Sequence, residues 1–155
     1  MMVTYLTKKD VENFMYNEAD LRPYERGFLI DNRDYIMKLL SENHKHAFCY
    51  KKANGNVIAI WNINEMWAGV GEWYSFLSKT AIKEYPITLC KIARGYRDYL
   101  INHGFRRIQS TVQLSNRRSV EWHKWLGFKV EGYLRQYGTD GDDYLIMSYI
   151  KGLDK

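Results

Sequence analysis

Ser115 to Phe128 constrains the fold of this chain more than any other stretch. It reads Ser-Asn-Arg-Arg-Ser-Val-Glu-Trp-His-Lys-Trp-Leu-Gly-Phe, one short amphipathic helix with both ends marked. Ser115 offers a capping hydroxyl at the N-terminal end. Gly127 offers the left-handed residue that stops a helix. Val120, His123 and Leu126 fall on one face at three-residue spacing. Before the helix, Ile108 to Leu114 alternates with a period of two, as a half-buried strand does. After it, Lys129 to Arg135 is a second strand candidate.

The rest of the chain extends this pattern. Val3 to Leu6 reads as an opening strand. Thr7, three residues ahead of Asp10, marks a capping-box start for a helix from Lys8 to about Met15. Asn17 to Arg26 holds Pro23 and mixed charges and reads as a loop or irregular turn. Asp31 to Leu40 predicts a second helix with Tyr35, Ile36, Leu39 and Leu40 on its apolar face. His46 to Lys51 and Val57 to Trp61 read as paired strands, joined through an Asn-Gly turn at Asn54-Gly55. Asn62 to Gly71 extends that strand and turns at Gly69 and Gly71. Glu72 to Ser78 is a strand by its aromatic content, and Thr80 to Tyr85 reads as a loop. Pro86 suits the first turn of a helix. That helix runs to His103 and stops at Gly104, with Ile92, Tyr96, Tyr99 and Leu100 on one side. A turn at Gly138-Thr139-Asp140-Gly141 leads into a last strand, Asp143 to Ile150.

A chain of 155 residues with no linker or repeat predicts one domain over 1–155. The net charge of +5 favours acidic partners such as a phosphorylated cofactor. Arg106-Arg107 and Arg117-Arg118 lack a recognition motif, so nucleic acid is set aside. Cys49 and Cys90, far apart in apolar runs, read as free thiols of a reducing compartment. No signal peptide, membrane-spanning run or lipidation motif is visible, which gives a cytoplasmic expectation with no membrane partner. His44-Lys45-His46 has no ligand-spaced partners, so no metal is expected. The 13 Tyr and 5 Trp suit amphipathic rings at core and surface, or an aromatic-lined acceptor groove.

Strand, polar turn with Asn116, short helix with Ser119, the Leu126-Gly127-Phe128 ending, then Glu131-Gly132 and Leu134-Arg135: this order resembles the C-terminal half of the GNAT N-acetyltransferase superfamily. Ser119 and the Glu131-to-Arg135 tail look most like the branch that acetylates protein N-termini and ribosomal proteins. The resemblance implies an α/β (α+β) fold, a mixed, mostly antiparallel sheet splayed between its fourth and fifth strands and flanked by roughly four helices. It implies acetyl-CoA as co-substrate and an amine acceptor: a protein N-terminus, a lysine or a small amine. Main-chain donors for the cofactor and the oxyanion would come from Phe76, Leu77 and Ser78. Thr80, Lys83, Ile87, Thr88 and Asn116 would line the cofactor. Glu72 would be the general base, with Glu65 a second choice. The position of the family's tyrosine acid falls on His123, which can also move protons near neutral pH. Each has a plainer alternative: a solvent-facing strand start for Glu72, a packed ring between Trp122 and Trp125 for His123, a turn or cap for Asn116.

One segment departs from the family. Its phosphate loop, Arg or Gln, any two, Gly, any one, Gly or Ala, falls on Glu84 to Leu89. Glu84 replaces the basic or amide residue, Ile87 the first glycine and Leu89 the second small residue. Pro86 removes an N–H donor. Glycines normally let the backbone approach a phosphate. Lys79, Lys83 and Lys91 lie near enough in sequence to offset Glu84. The departure keeps a second expectation open: a non-catalytic binding or assembly protein on the GNAT fold. Small phage-encoded proteins with a worn cofactor loop, some of them virion-associated, are similar, which would place the chain in a host cytoplasm or a virion. A homodimer is a further expectation.

Overall fold

Seven strands, among the residues described, form a sheet in the order β1-β2-β3-β4-β5-β7-β6. They are β1 (Met2–Tyr5), β2 (Phe48–Lys51), β3 (Val57–Trp67), β4 (Val70–Leu77), β5 (Arg107–Gln113), β6 (Lys129–Leu134) and β7 (Tyr144–Ile150). The helices are α1 (Lys8–Tyr16), α2 (Pro23–Glu25), α3 (Lys79–Glu84), α4 (Pro86–Asn102) and α5 (Arg117–Trp125). The structure is a computed structural model that describes residues 2–25, 33–34, 37–38 and 44–153. The predicted helix Asp31 to Leu40 lies outside these residues except at 33, 34, 37 and 38. The β1–β2, β2–β3, β5–β7 and β6–β7 pairs are antiparallel, and β4–β5 is parallel. This is the mixed, mostly antiparallel α/β arrangement that the resemblance implied.

The chain divides into two compact units, Met1–Asn64 with Tyr74–Tyr96, and Glu65–Trp73 with Arg97–Lys155. In the first, Thr7 and Asp10 form the expected capping box. The Thr7 amide donates to Asp10 Oδ2 at 3.0 Å, and the Asp10 amide donates to Thr7 Oγ1 at 3.2 Å. The helix then buries Val11, Phe14 and Met15 against Leu21, Cys49, Ile60 and Phe76. Each such side chain, fully buried, contributes about 2 kcal/mol. The β2–β3 hairpin turns through Gly55 at φ 87°, as the Asn-Gly pair predicts, but β3 runs on to Trp67. His46 falls in a 3₁₀ turn ahead of β2.

Of the two loop expectations, the first takes the form of irregular turns and the second is corrected. Residues 17–26 contain the 3₁₀ turn Glu18–Asp20 and the single helical turn α2, opened by Pro23 where a missing N–H costs nothing. Thr80 to Tyr85 is mostly helical: α3 is capped by Ser78, whose Oγ accepts from the Ala81 amide at 3.1 Å. Pro86 then opens α4 as expected.

In the second unit, β5 buries Ile108, Ser110 and Val112 alternately and pairs with β7 over its whole length. The parallel register of β4 with β5 runs from Val70↔Arg107 to Glu72↔Gln109. Helix α5 presents Val120, His123 and Leu126 as its buried face. Its cap is Asn116, whose Oδ1 accepts from the Ser119 amide at 3.2 Å, rather than Ser115. The Asn116 amide bonds to Gln113 O, which sets the turn one residue later than expected. Gly127 ends the helix at φ 93°. A Cβ there would meet the Tyr149 ring at 3.0 Å, whereas one at Gly141, φ 83°, would meet nothing within 4 Å.

Gly127→Ala should therefore lose about 2 kcal/mol in urea unfolding, and Gly141→Ala about 1 kcal/mol, the cost of the left-handed backbone alone. Equal losses would show that the Tyr149 contact carries no weight.

Candidate functional site

Every buried N–H and C=O needs a partner, and the end of β4 is where this rule is most informative. The Ser78 amide donates to Ile58 O of β3 at 3.0 Å. Main-chain groups alternate between the two edges of an antiparallel strand, so those of Leu77 face away from β3. There the Leu77 amide donates to Glu25 Oε1 at 3.2 Å, and Leu77 O accepts from Arg22 Nε at 3.0 Å. Arg22 Nε also lies 2.9 Å from both Glu25 oxygens, and Nη2 adds a further bond to Oε1. Glu25 is 0% exposed. Burial pushes its pKa up, and the Arg22 guanidinium and the Leu77 amide pull it back.

The start of α3 is filled in the same way. Asp20 Oδ1 accepts from both the amide and the hydroxyl of Thr80, each at 2.9 Å. A carboxylate at this position satisfies an orphan donor and suits the positive end of the helix. Lys79 Nζ donates to Ala19 O at 3.3 Å. Residues 19–25 thus deliver two carboxylates, a guanidinium and a carbonyl to Leu77, Lys79 and Thr80.

The sequence-predicted site residues fall into separate settings. Leu77, Ser78 and Thr80 come together in the first unit, beside Asp20, Arg22 and Glu25. Phe76 is in the core at 1% exposure. Lys83 and Glu84 are exposed and Thr88 is half-buried. Ile87 stands in solvent at 72% exposure, while Leu89 is buried at 3%. The Glu84-to-Leu89 segment is the last residue of α3, Tyr85 and the first turn of α4. The Leu77 and Ser78 amides, expected as oxyanion donors, are already bonded to Glu25 and Ile58.

In the second unit, Glu72 is half-buried opposite Gln109, and Glu65 is exposed. Asn116 spends its Oδ1 on the α5 cap. His123 is 4% exposed. Its Nδ1 lies 2.7 Å from Ser119 O and its Nε2 3.2 Å from Ser110 Oγ. A carbonyl can only accept, so Nδ1 carries the proton and Nε2 accepts from the serine hydroxyl. Burial pushes the pKa of His123 down. Trp122 and Phe128 flank the ring edge-to-face. Both ring nitrogens of His123 are engaged inside the protein. Among the described residues no group of three or more His, Cys, Asp or Glu could hold a metal, and no helix is long and apolar enough to cross a membrane.

Sequence reasoning missed Asp20, Arg22 and Glu25. The only local signal was the Arg-x-x-Glu spacing around Pro23, which is common in solvated turns.

No protein-family model and no curated protein sequence matches the chain. Solved structures do. Ard1 from Thermoplasma volcanium aligns with a TM-score of 0.79 at 14% identity, covering 96% of each chain. Ribosomal-protein-S5-alanine acetyltransferase from Vibrio fischeri aligns with a TM-score of 0.72 at 17% identity, over 99% of this chain and 94% of that one. A spermidine N-acetyltransferase chimera from Vibrio cholerae gives 0.72 at 18%, over 96% and 94%. At such identities the likeness establishes the fold alone, and this chain has the GNAT fold.

Because the folded state holds His123 neutral, its contribution to stability is present above the usual pKa of 6.5 and is lost as the pH falls below it. Between about pH 7.5 and pH 5, the wild type should lose more unfolding free energy than His123→Leu. Parallel losses would place the titrating group elsewhere.

Proposed function

We propose that this chain is an N-acyltransferase that moves an acetyl group from acetyl-CoA to an amine. The fold supports the reading: acetyltransferase structures align with 96–99% of the chain. Their names point to different acceptors, spermidine in one case and a ribosomal-protein alanine in another. The acceptor class is therefore drawn broadly, as a protein N-terminus, a lysine or a small amine.

The acetyl donor supplies an activated thioester carbonyl. The acceptor ammonium must lose a proton before its nitrogen can attack, and Glu72 is the carboxylate we assign to take it. Charge that develops on the carbonyl oxygen calls for main-chain donors fixed in advance; the Leu77 amide is assigned to that task, and it could serve only after Glu25 has left it. His123 is a positioning residue: its bond to Ser110 ties α5 to β5.

A second reading has its own observation. Asp20 and Glu25 already hold the Thr80 and Leu77 donors, and Glu84 to Leu89 has no glycine. Both suit a GNAT-fold binding or assembly module without catalysis, in a host cytoplasm or a virion.

Titration with CoA and thiol release from acetyl-CoA, with spermidine, free lysine and an alanine-ended peptide as acceptors, separate the two. The transferase reading expects amine-dependent thiol release, reduced about 100-fold in kcat by Glu72→Gln with little change in CoA affinity. No binding and no turnover at millimolar cofactor would leave the module.

A further inference from the structure

Three polar side chains of the second unit are tied together across β5, β7 and β6. The β6–β7 register shifts between Val130 and Gly132, which leaves Glu131 as the extra residue of a bulge. A bulge re-aims the side chain it carries. Glu131 reaches past β7 to Arg107, whose Nη1 and Nη2 donate to its two carboxylate oxygens at 2.9 and 2.5 Å. Arg107 Nε donates to Gln109 Oε1 at 3.0 Å. A guanidinium has donors only. Gln109 therefore turns its oxygen to Arg107 and its Nε2 donor away from it. The Arg107 and Glu131 side chains are 24% and 37% exposed, and an ion pair so placed adds little stability. Its geometric effect is the larger one: it fixes which end of the Gln109 amide is on offer.

Gln109 is the direct partner of Glu72 in the parallel β4–β5 register, and both are half-buried. Direct partners put their side chains on the same face of the sheet, on strands about 4.8 Å apart. A carboxylate and an amide N–H donor thus stand side by side. A molecule that suits both carries a cationic nitrogen and a carbonyl oxygen a few ångströms apart. The α-amino end of a peptide does so, because backbone bond lengths put its nitrogen about 3 Å from its own carbonyl oxygen. A lysine side chain holds its nitrogen at the end of a methylene stem, and a simple alkylamine has no carbonyl.

We propose that Gln109, held by Arg107 and Glu131, recognises the carbonyl next to the reacting nitrogen and makes the acceptor a peptide α-amine. The inference rests on the transferase reading above, with Glu72 as the base. Glu72 faces the ammonium, and Gln109 Nε2 donates to the first carbonyl oxygen of the peptide. Arg107 and Glu131 are positioning residues that act through Gln109.

The test compares an alanine-ended peptide with butylamine as acceptors, by thiol release from acetyl-CoA, in the wild type, Gln109→Met, Arg107→Lys and Glu72→Gln. Titration calorimetry measures peptide binding to each free protein, and thermal unfolding checks that each variant is native. A lysine keeps a charge pair with Glu131 but lacks the fork that spans Glu131 and Gln109 at once. Arg107→Lys therefore keeps the test available if Gln109→Met fails to fold. Both variants should bind the peptide roughly tenfold more weakly, the worth of about one hydrogen bond. Their preference for peptide over butylamine in kcat/KM should fall by the same factor. A wild type that prefers butylamine, or a peptide preference that survives both substitutions, overturns the role of Gln109 and leaves the transferase reading intact. Turnover that survives Glu72→Gln removes the base assigned above, and the pairing with Gln109 falls with it. No turnover of either acceptor by the wild type sinks the transferase reading and this inference together.

Discussion

A strand edge must satisfy its main-chain groups, and at Leu77 that task falls to two side chains. β4 has eight residues, and its parallel register with β5 covers Val70, Gly71 and Glu72. At the far end, Glu25 and Arg22 take the Leu77 amide and carbonyl. Much of the first unit's local order follows. The bonds fix α2 against the strand. Leu21 is held in the core between two polar neighbours. Asp20 comes within reach of α3 and closes that helix's first turn. Removing Arg22 would leave the buried Glu25 carboxylate without its charge partner, which typically costs more than the intact pair contributes.

The second unit obeys the same rule by other means. α5 is fastened to β5 through His123 and Ser110, and its N-terminus is closed by Asn116. Gly127 turns the chain so that the Phe128 amide reaches His123 O at 2.9 Å. One histidine therefore meets a serine through its ring and closes the helix end through its carbonyl. Burial of the ring favours its neutral form, and the Ser110 hydroxyl then donates to Nε2.

The features legible in the sequence are those whose partners lie close by along the chain. The Thr7–Asp10 box, the Asn54-Gly55 turn, the Pro86 helix start and the Gly127 stop each need only a few residues, and each reads correctly. The block from Asn116 to Arg135 carries enough such features in register to point to the fold. Helix α3 has a local cap in Ser78, which the loop expectation overlooked, and a second support in Asp20, 60 residues away. Glu25 was missed because its meaning lies 52 residues on, at Leu77. Ser115 and Asn116 are both good caps, and the bond from the Asn116 amide to Gln113 O decided between them. The missing glycines at Glu84 to Leu89 were legible as a departure. What they leave was not: Ile87 lies in solvent and Leu89 in the core, so neither apolar residue settles by itself how an anion would be held.

The fold is shared with solved acetyltransferase structures, and residues 20–25 bring carboxylates to the Leu77 and Thr80 donors. The most direct measurement is a crystal structure of the chain grown with CoA. The transferase reading proposed above predicts bound CoA with its thioester end beside Glu72. A structure from the same crystals with no CoA bound, and the Glu25–Leu77 and Asp20–Thr80 bonds intact, would contradict it.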